Sequence, residues 1–172
     1  MITCTRTFGF DYGHRVLGHE GKCASLHGHR GLVEVTCQAA DLDHLGRVID
    51  FSEVKRLVGT WIDEHWDHTM LLHHNDPLID HLNGRRLEML EIIGPRRPFV
   101  MDCNPTAEHL AALLFNQADV LLKPIGIRVT HVKFWETPNC FACCDASGPA
   151  HAQPREVEPE KSFLKVEGAP HV

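Results

Sequence analysis

Residues 22–29 read KCASLHGH, a cysteine followed four residues later by the first histidine of a His-Gly-His. On a β-strand, side chains two apart share a face, so His27 and His29 can aim both imidazoles at one point. Gly28 between them is expected to leave room for a ligand or a third donor. His14 closes an extended stretch, 2–13 (ITCTRTFGFDYG). If that stretch and the next form a hairpin, their ends near 14 and 28 lie side by side and three imidazoles meet. Three histidines with one open position are the pattern of a catalytic zinc, whereas a structural zinc is closed by a fourth protein ligand. The chain holds 14 histidines, so a lone His-x-His arises by chance. A third histidine at the matching hairpin end weighs against chance.

Cys23 has three readings. It is the fourth ligand of a closed site, or a free thiolate beside the metal that moves a proton, or a small buried hydrophobe as most cysteines are. Asp67-His68 pairs a carboxylate with an imidazole it could orient, against the plainer reading of a solvated helix end. Glu136 ends an apolar, aromatic run (Phe134, Trp135). A carboxylate there can accept two hydrogen bonds from an amidine-like edge, such as that of a guanine or pterin ring. The plain alternative is an exposed strand end. Cys140 and Cys143 form a C-x-x-C with no second pair at zinc-ribbon spacing, and the cluster with Cys144 reads as packing.

The elements that would position these groups follow from pattern. Residues 2–13 and 29–40 read as strands. SEVKRLVGTWIDEHW (52–66) repeats its apolar residues at three and four, as a helix does, with Asp50 or Ser52 as cap. Residues 73–104 read as an insertion with some strand character. Asn104-Pro105 is expected to cap a second helix, whose apolar stripe is Leu110, Leu113, Leu114 and Leu121, ended by Lys123-Pro124. IRVTHVKFWET (127–137) reads as a strand and CFACCDA (140–146) as its short partner. Residues 147–172, rich in Pro and Glu, read as a mobile tail after a domain spanning 1–146. The order β-β-α-insert-α-β-β predicts an α+β fold, helices covering one face of an antiparallel sheet.

Bulk properties narrow the function classes. The 172 residues suffice for one domain with a core. A net charge of −6 argues against a nucleic-acid scaffold, although local cations could still meet an anionic small molecule. No apolar run is long enough to span a membrane, and the N-terminus lacks a signal-peptide pattern. Seven cysteines make a poor disulfide framework, so a cytoplasmic location is expected.

Six segments in order, FGFDYGHRV (8–16), GKCASLHGH (21–29), GRVIDFSEVK (46–55), WDHTMLL (66–72), PTAEHLA (105–111) and WET (135–137), resemble the 6-pyruvoyl-tetrahydropterin synthase family. Within it they are most similar to the bacterial 6-carboxy-5,6,7,8-tetrahydropterin synthases of queuosine biosynthesis. The resemblance implies the tunnelling fold (T-fold): a four-stranded antiparallel sheet with two helices on one face, joined by subunits into a barrel, as a trimer or homohexamer. It implies zinc on His14, His27 and His29, and Cys23 as catalytic cysteine. It implies Asp67 and His68 as a proton relay contributed by a neighbouring subunit. Glu136 is implied as pterin anchor, with Thr137 and Glu108 nearby. The implied substrate is 7,8-dihydroneopterin triphosphate, with Lys22, Arg15 or Arg30 toward the phosphates. Three residues separate Cys23 from the His-Gly-His, as in the carboxy-forming branch; pyruvoyl-forming members typically have a longer gap. A pyruvoyl-forming lyase, a non-catalytic zinc- or pterin-binding protein and a T-fold cyclohydrolase are the alternatives. Trp66, Leu72 and Cys144 depart from the family pattern and bear on substrate fit.

Overall fold

The structure, a computed structural model, describes residues 2–79 and 96–147. β1 (Cys4–His14) and β2 (His27–Ala39) form the antiparallel pair expected, His14 opposite His27 and Tyr12 opposite His29. Along β1 the faces alternate: Phe10, Tyr12 and His14 are buried, while Thr5, Thr7 and Asp11 are exposed. A single turn of 3-10 helix, Lys22–Ala24, carries Cys23 between the two strands.

The first helical rod runs as α1 (Phe51–Val54), a π segment (Lys55–Gly59) and α2 (Thr60–His65). Asp50 caps it, accepting the Ser52 N–H at 2.8 Å. β3 (Thr69–His73) and β4 (Phe99–Met101) follow. α3 (Ala107–Leu122) precedes β5 (Ile127–Thr137) and β6 (Cys140–Asp145). The sheet order is β4-β3-β1-β2-β5-β6.

The fold class holds, with one correction. The sheet is not a four-stranded antiparallel one: β1, β2, β5 and β6 are antiparallel, but β3 and β4 add to the β1 edge in parallel, making six strands. These two are short, five and three residues, and too brief for an alternating pattern to declare them. Residues 80–95 of the expected insertion and 148–172 of the expected tail lie outside the described residues.

The core lies between the sheet and the two helical rods. Phe10 contacts Trp66 and Phe134 at ring separations of 5.7 and 6.0 Å, and α3 contributes Leu110, Leu114, Ala118 and Leu122. Leu113 is buried with them as expected, and the stripe steps by three and four to end on Leu122 instead of Leu121. The cap of α3 also differs from expectation. It is Thr106, whose side chain accepts the His109 N–H, so Asn104 is released for another use.

A candidate metal centre at the end of the first hairpin

The β1–β2 register delivers the three imidazoles. His14 faces His27 across the ladder, and His29 follows on the same face two residues along. Their ligand atoms lie within 4.8 Å of one another, and among the described residues they alone form such a metal-capable group. Cys23 is not part of that group. Gly28 turns to the opposite, exposed face, so it does not open space beside the imidazoles as expected. A Cβ there would stand 3.3 Å from the Tyr12 carbonyl oxygen, and one at its partner Gly13 would overlap Met70 Sδ. Glycine on both strands lets the backbones and β3 approach closely at the hairpin end.

The hydrogen bonds set the tautomers. His14 Nδ1 is 2.7 Å from the Pro105 carbonyl oxygen, and His27 Nδ1 is 2.7 Å from that of Ser25. A carbonyl only accepts, so each Nδ1 carries the proton and each neutral ring presents a bare Nε2. Those two Nε2 atoms are 3.1 Å apart. Two lone pairs at that distance repel unless a cation or a proton stands between them. Carbonyl-braced imidazoles with converging Nε2 atoms are the arrangement metal-binding histidines use, so the donor set fits a borderline cation such as zinc. Burial pushes the His14 and His29 imidazoles below their ordinary range. The neighbouring rings add to this, against the raising effect of Glu136 on both and of the Pro105 contact on His14. Both therefore favour the neutral, metal-binding form.

Glu136 reaches the same point from β5. Its Oε1 is 3.5 Å from His14 Nε2 and 3.8 Å from His29 Nε2. The strand-end carboxylate is thus drawn into the centre. Tyr12, not anticipated from sequence, also borders it: its ring lies 5.2 Å from that of His14 and 5.8 Å from that of His29. Its place two residues before His14 on a strand was the available signal. Burial, with the Glu136 carboxylate behind it, holds the Tyr12 phenol protonated.

The other expected residues are spread around this centre. Cys23 is half-buried, and its carbonyl accepts the Val16 N–H at 2.8 Å, which ties its turn to the segment after His14. Asp67 and His68 form a dyad, His68 Nδ1 to Asp67 Oδ2 at 2.7 Å. The dyad is fastened to the edge of β1: the Asp11 N–H donates to Asp67 Oδ1 at 3.0 Å, and the His68 N–H to the Asp11 carbonyl at 2.6 Å. His68 has φ +54°, a left-handed conformation costly for a side-chain-bearing residue, and its side chain is 71% exposed. Burial raises the Asp67 carboxyl, but the Asp11 N–H and the His68 ring outweigh it and hold that carboxyl low. Thr137 Oγ1 accepts the Asn139 N–H at 3.3 Å in the β5–β6 turn, and Glu108 is exposed in the first turn of α3. Arg15 is bonded in a two-pronged fashion to buried Asp76.

Known proteins resemble this chain in sequence and in fold. Residues 3–147 match the family described as 6-pyruvoyl tetrahydropterin synthase. A 6-carboxy-5,6,7,8-tetrahydropterin synthase from Rickettsia bellii is 42% identical over 142 residues, covering 82% of this chain and 98% of that protein. One of the same name from Haemophilus influenzae is 30% identical over 147 residues, covering 82% and 96%. An uncharacterized protein from Wolinella succinogenes superposes with a TM-score of 0.69 at 28% identity, covering 84% of this chain and 98% of that one. The 6-pyruvoyl tetrahydropterin synthase of Caenorhabditis elegans, at 19% identity and TM-score 0.59 over 85% and 96%, shares the fold. The chain belongs to the 6-pyruvoyl tetrahydropterin synthase family.

Proposed function

We propose that this chain is a zinc-dependent lyase. It converts 7,8-dihydroneopterin triphosphate and water into 6-carboxy-5,6,7,8-tetrahydropterin, acetaldehyde and triphosphate, in the route to queuosine and related 7-deazapurines. One observation carries the reading: the converging His14, His27 and His29 beside Glu136, in a chain 42% identical to a relative bearing that name. The short Cys23-to-His-Gly-His gap supports the carboxy-forming branch.

His14, His27 and His29 hold the metal, which when bound supplies Lewis-acid stabilisation of negative charge on the oxygens of the substrate side chain. Glu136 accepts two hydrogen bonds from the pterin edge and so orients the ring with its side chain toward the imidazoles. Cys23 takes a proton from that side chain. Asp67 fixes the His68 ring through Nδ1, which leaves Nε2 to return a proton. The exposure of His68 suits service to the site of a neighbouring subunit in a trimeric or hexameric barrel. Thr137 and Glu108 border the pterin end. The catalytic unit is residues 1–146, acting in the cytosol, with 147–172 a tail outside it.

Mass spectrometry of the products formed from 7,8-dihydroneopterin triphosphate by zinc-loaded protein tests the reading. The 6-carboxy product with acetaldehyde is expected. A 6-pyruvoyl product would overturn the branch, and absence of turnover with zinc and pterin both bound would overturn the enzyme reading.

A further inference from the structure

Asn104 stands where a helix cap was expected, yet Thr106 does the capping. The Asn104 side chain instead reaches the chain just beyond β1. Its Oδ1 accepts the Leu17 N–H at 2.9 Å and its Nδ2 donates to the Leu17 carbonyl at 2.9 Å. Only one orientation of the amide satisfies both bonds. The pairing mimics a rung of β-ladder between segments 87 positions apart. One residue on, the Pro105 carbonyl accepts from His14 Nδ1. The Asn104 carbonyl is in turn held by the Thr106 N–H at 2.8 Å and by His109 Nδ1 at 2.8 Å, so residues 104–106 are fixed to the N-terminus of α3. Residues 14–17 and 104–105 therefore meet in two rungs, one on Leu17 and one on His14.

We infer that Asn104 is a positioning residue for the metal centre. By clamping Leu17 it holds the Pro105 carbonyl against His14 Nδ1, and so fixes the ring plane and tautomer that aim His14 Nε2 at the shared point. The inference rests on the reading of His14, His27 and His29 as metal ligands. His27 needs no such device, because its Nδ1 partner is Ser25, two residues away. His14 takes its partner from 91 residues away, and a contact so distant has to be registered by something other than the local chain. Groups that orient a ligating histidine typically govern metal affinity by 10- to 100-fold.

The control is Asp119, whose Oδ1 accepts the Val129 N–H at 3.0 Å and the Arg128 Nε–H at 3.1 Å. It is a clamp of similar hydrogen-bonding weight between α3 and β5, and it touches no imidazole. The experiment measures zinc affinity of full-length wild type, Asn104→Ala, Asn104→Asp, Asp119→Ala and His14→Ala by competition with a chromophoric chelator, alongside thermal melts. Asn104→Ala is expected to bind zinc about tenfold or more weakly. Asn104→Asp keeps the acceptor and loses the donor, so it falls between. Asp119→Ala melts lower but binds as wild type does. Equal affinity of wild type and both Asn104 variants would overturn the inference alone, as would equal weakening by Asp119→Ala. Wild-type zinc binding that His14→Ala leaves intact would overturn the ligand reading beneath it. Should Asn104→Ala not fold, Asn104→Asp decides by the same comparison.

Discussion

The three-histidine centre and the Asp67–His68 dyad are both built at β1 and both offer imidazoles, yet they are made in opposite ways. His14 is buried to 1% exposure, and its partner carbonyl comes from the far side of the sequence. His68 is 71% exposed, in a strained left-handed conformation, and is held by its own neighbour Asp67. Burial at the first site favours the neutral form of His14 and His29, the form that binds a cation. At the second, the ring is held by Asp67 and open to solvent.

The largest effect expected from this contrast is at His14. His14→Ala should remove bound metal and lower turnover by about a thousandfold or more, since two ligands do not hold zinc firmly. Metal analysis with a turnover assay checks it, and full metal occupancy in the variant would break the contrast at its buried side. A smaller loss, on the order of a hundredfold, is expected for His68→Gln, with metal content unchanged. Its sharper form is a mixing experiment. If His68 serves a neighbouring subunit, inactive Cys23→Ala and inactive His68→Gln chains unfolded and reassembled together should regain part of the activity. No recovery in mixed oligomers would place the dyad and the cysteine in one site of one chain.

The smallest effect concerns the frame. Arg15 and buried Asp76 secure the chain next to His14, and Asp76 also accepts the Leu78 N–H at 2.9 Å. The Arg15 bonds are the main cause holding the Asp76 carboxyl below its ordinary value near 3.8, with burial opposing them. A carboxyl lowered by folding contributes stability above its unfolded value and loses it as the pH falls through the lower folded one. Asp76→Asn should therefore cost roughly 2 kcal/mol near neutrality, and the gap to wild type should close below about pH 3.8. Urea unfolding across that range measures it; a gap constant with pH would mean that the carboxylate charge is not what Arg15 holds.

Much of the centre was legible because strand alternation converts spacing into a shared face. His-x-His on β2 and His14 at the facing end of β1 needed only the hairpin, and the β1–β2 register supplies it. The parts that stayed hidden have specific causes. The acceptors for His14 and His27 are backbone carbonyls, which every residue has, so no residue type marks Pro105 or Ser25. Asn104 before proline looks like a cap, and only the tertiary approach of Leu17 shows its other bond pair. The partner of Arg15, Asp76, lies 61 residues away, and no local pattern marks it. β3 and β4 were too short to carry a period.

The central claim of the proposed function is a division of labour, in which the histidines would hold the metal and Cys23, outside their ligand group, would move a proton. The most direct test is zinc content and turnover measured together on Cys23→Ala. Zinc near one per chain, with turnover lowered about a hundred- to ten-thousandfold, is the result expected of a proton-transfer residue that is not a ligand. Loss of zinc together with activity would make Cys23 a fourth ligand and contradict the division.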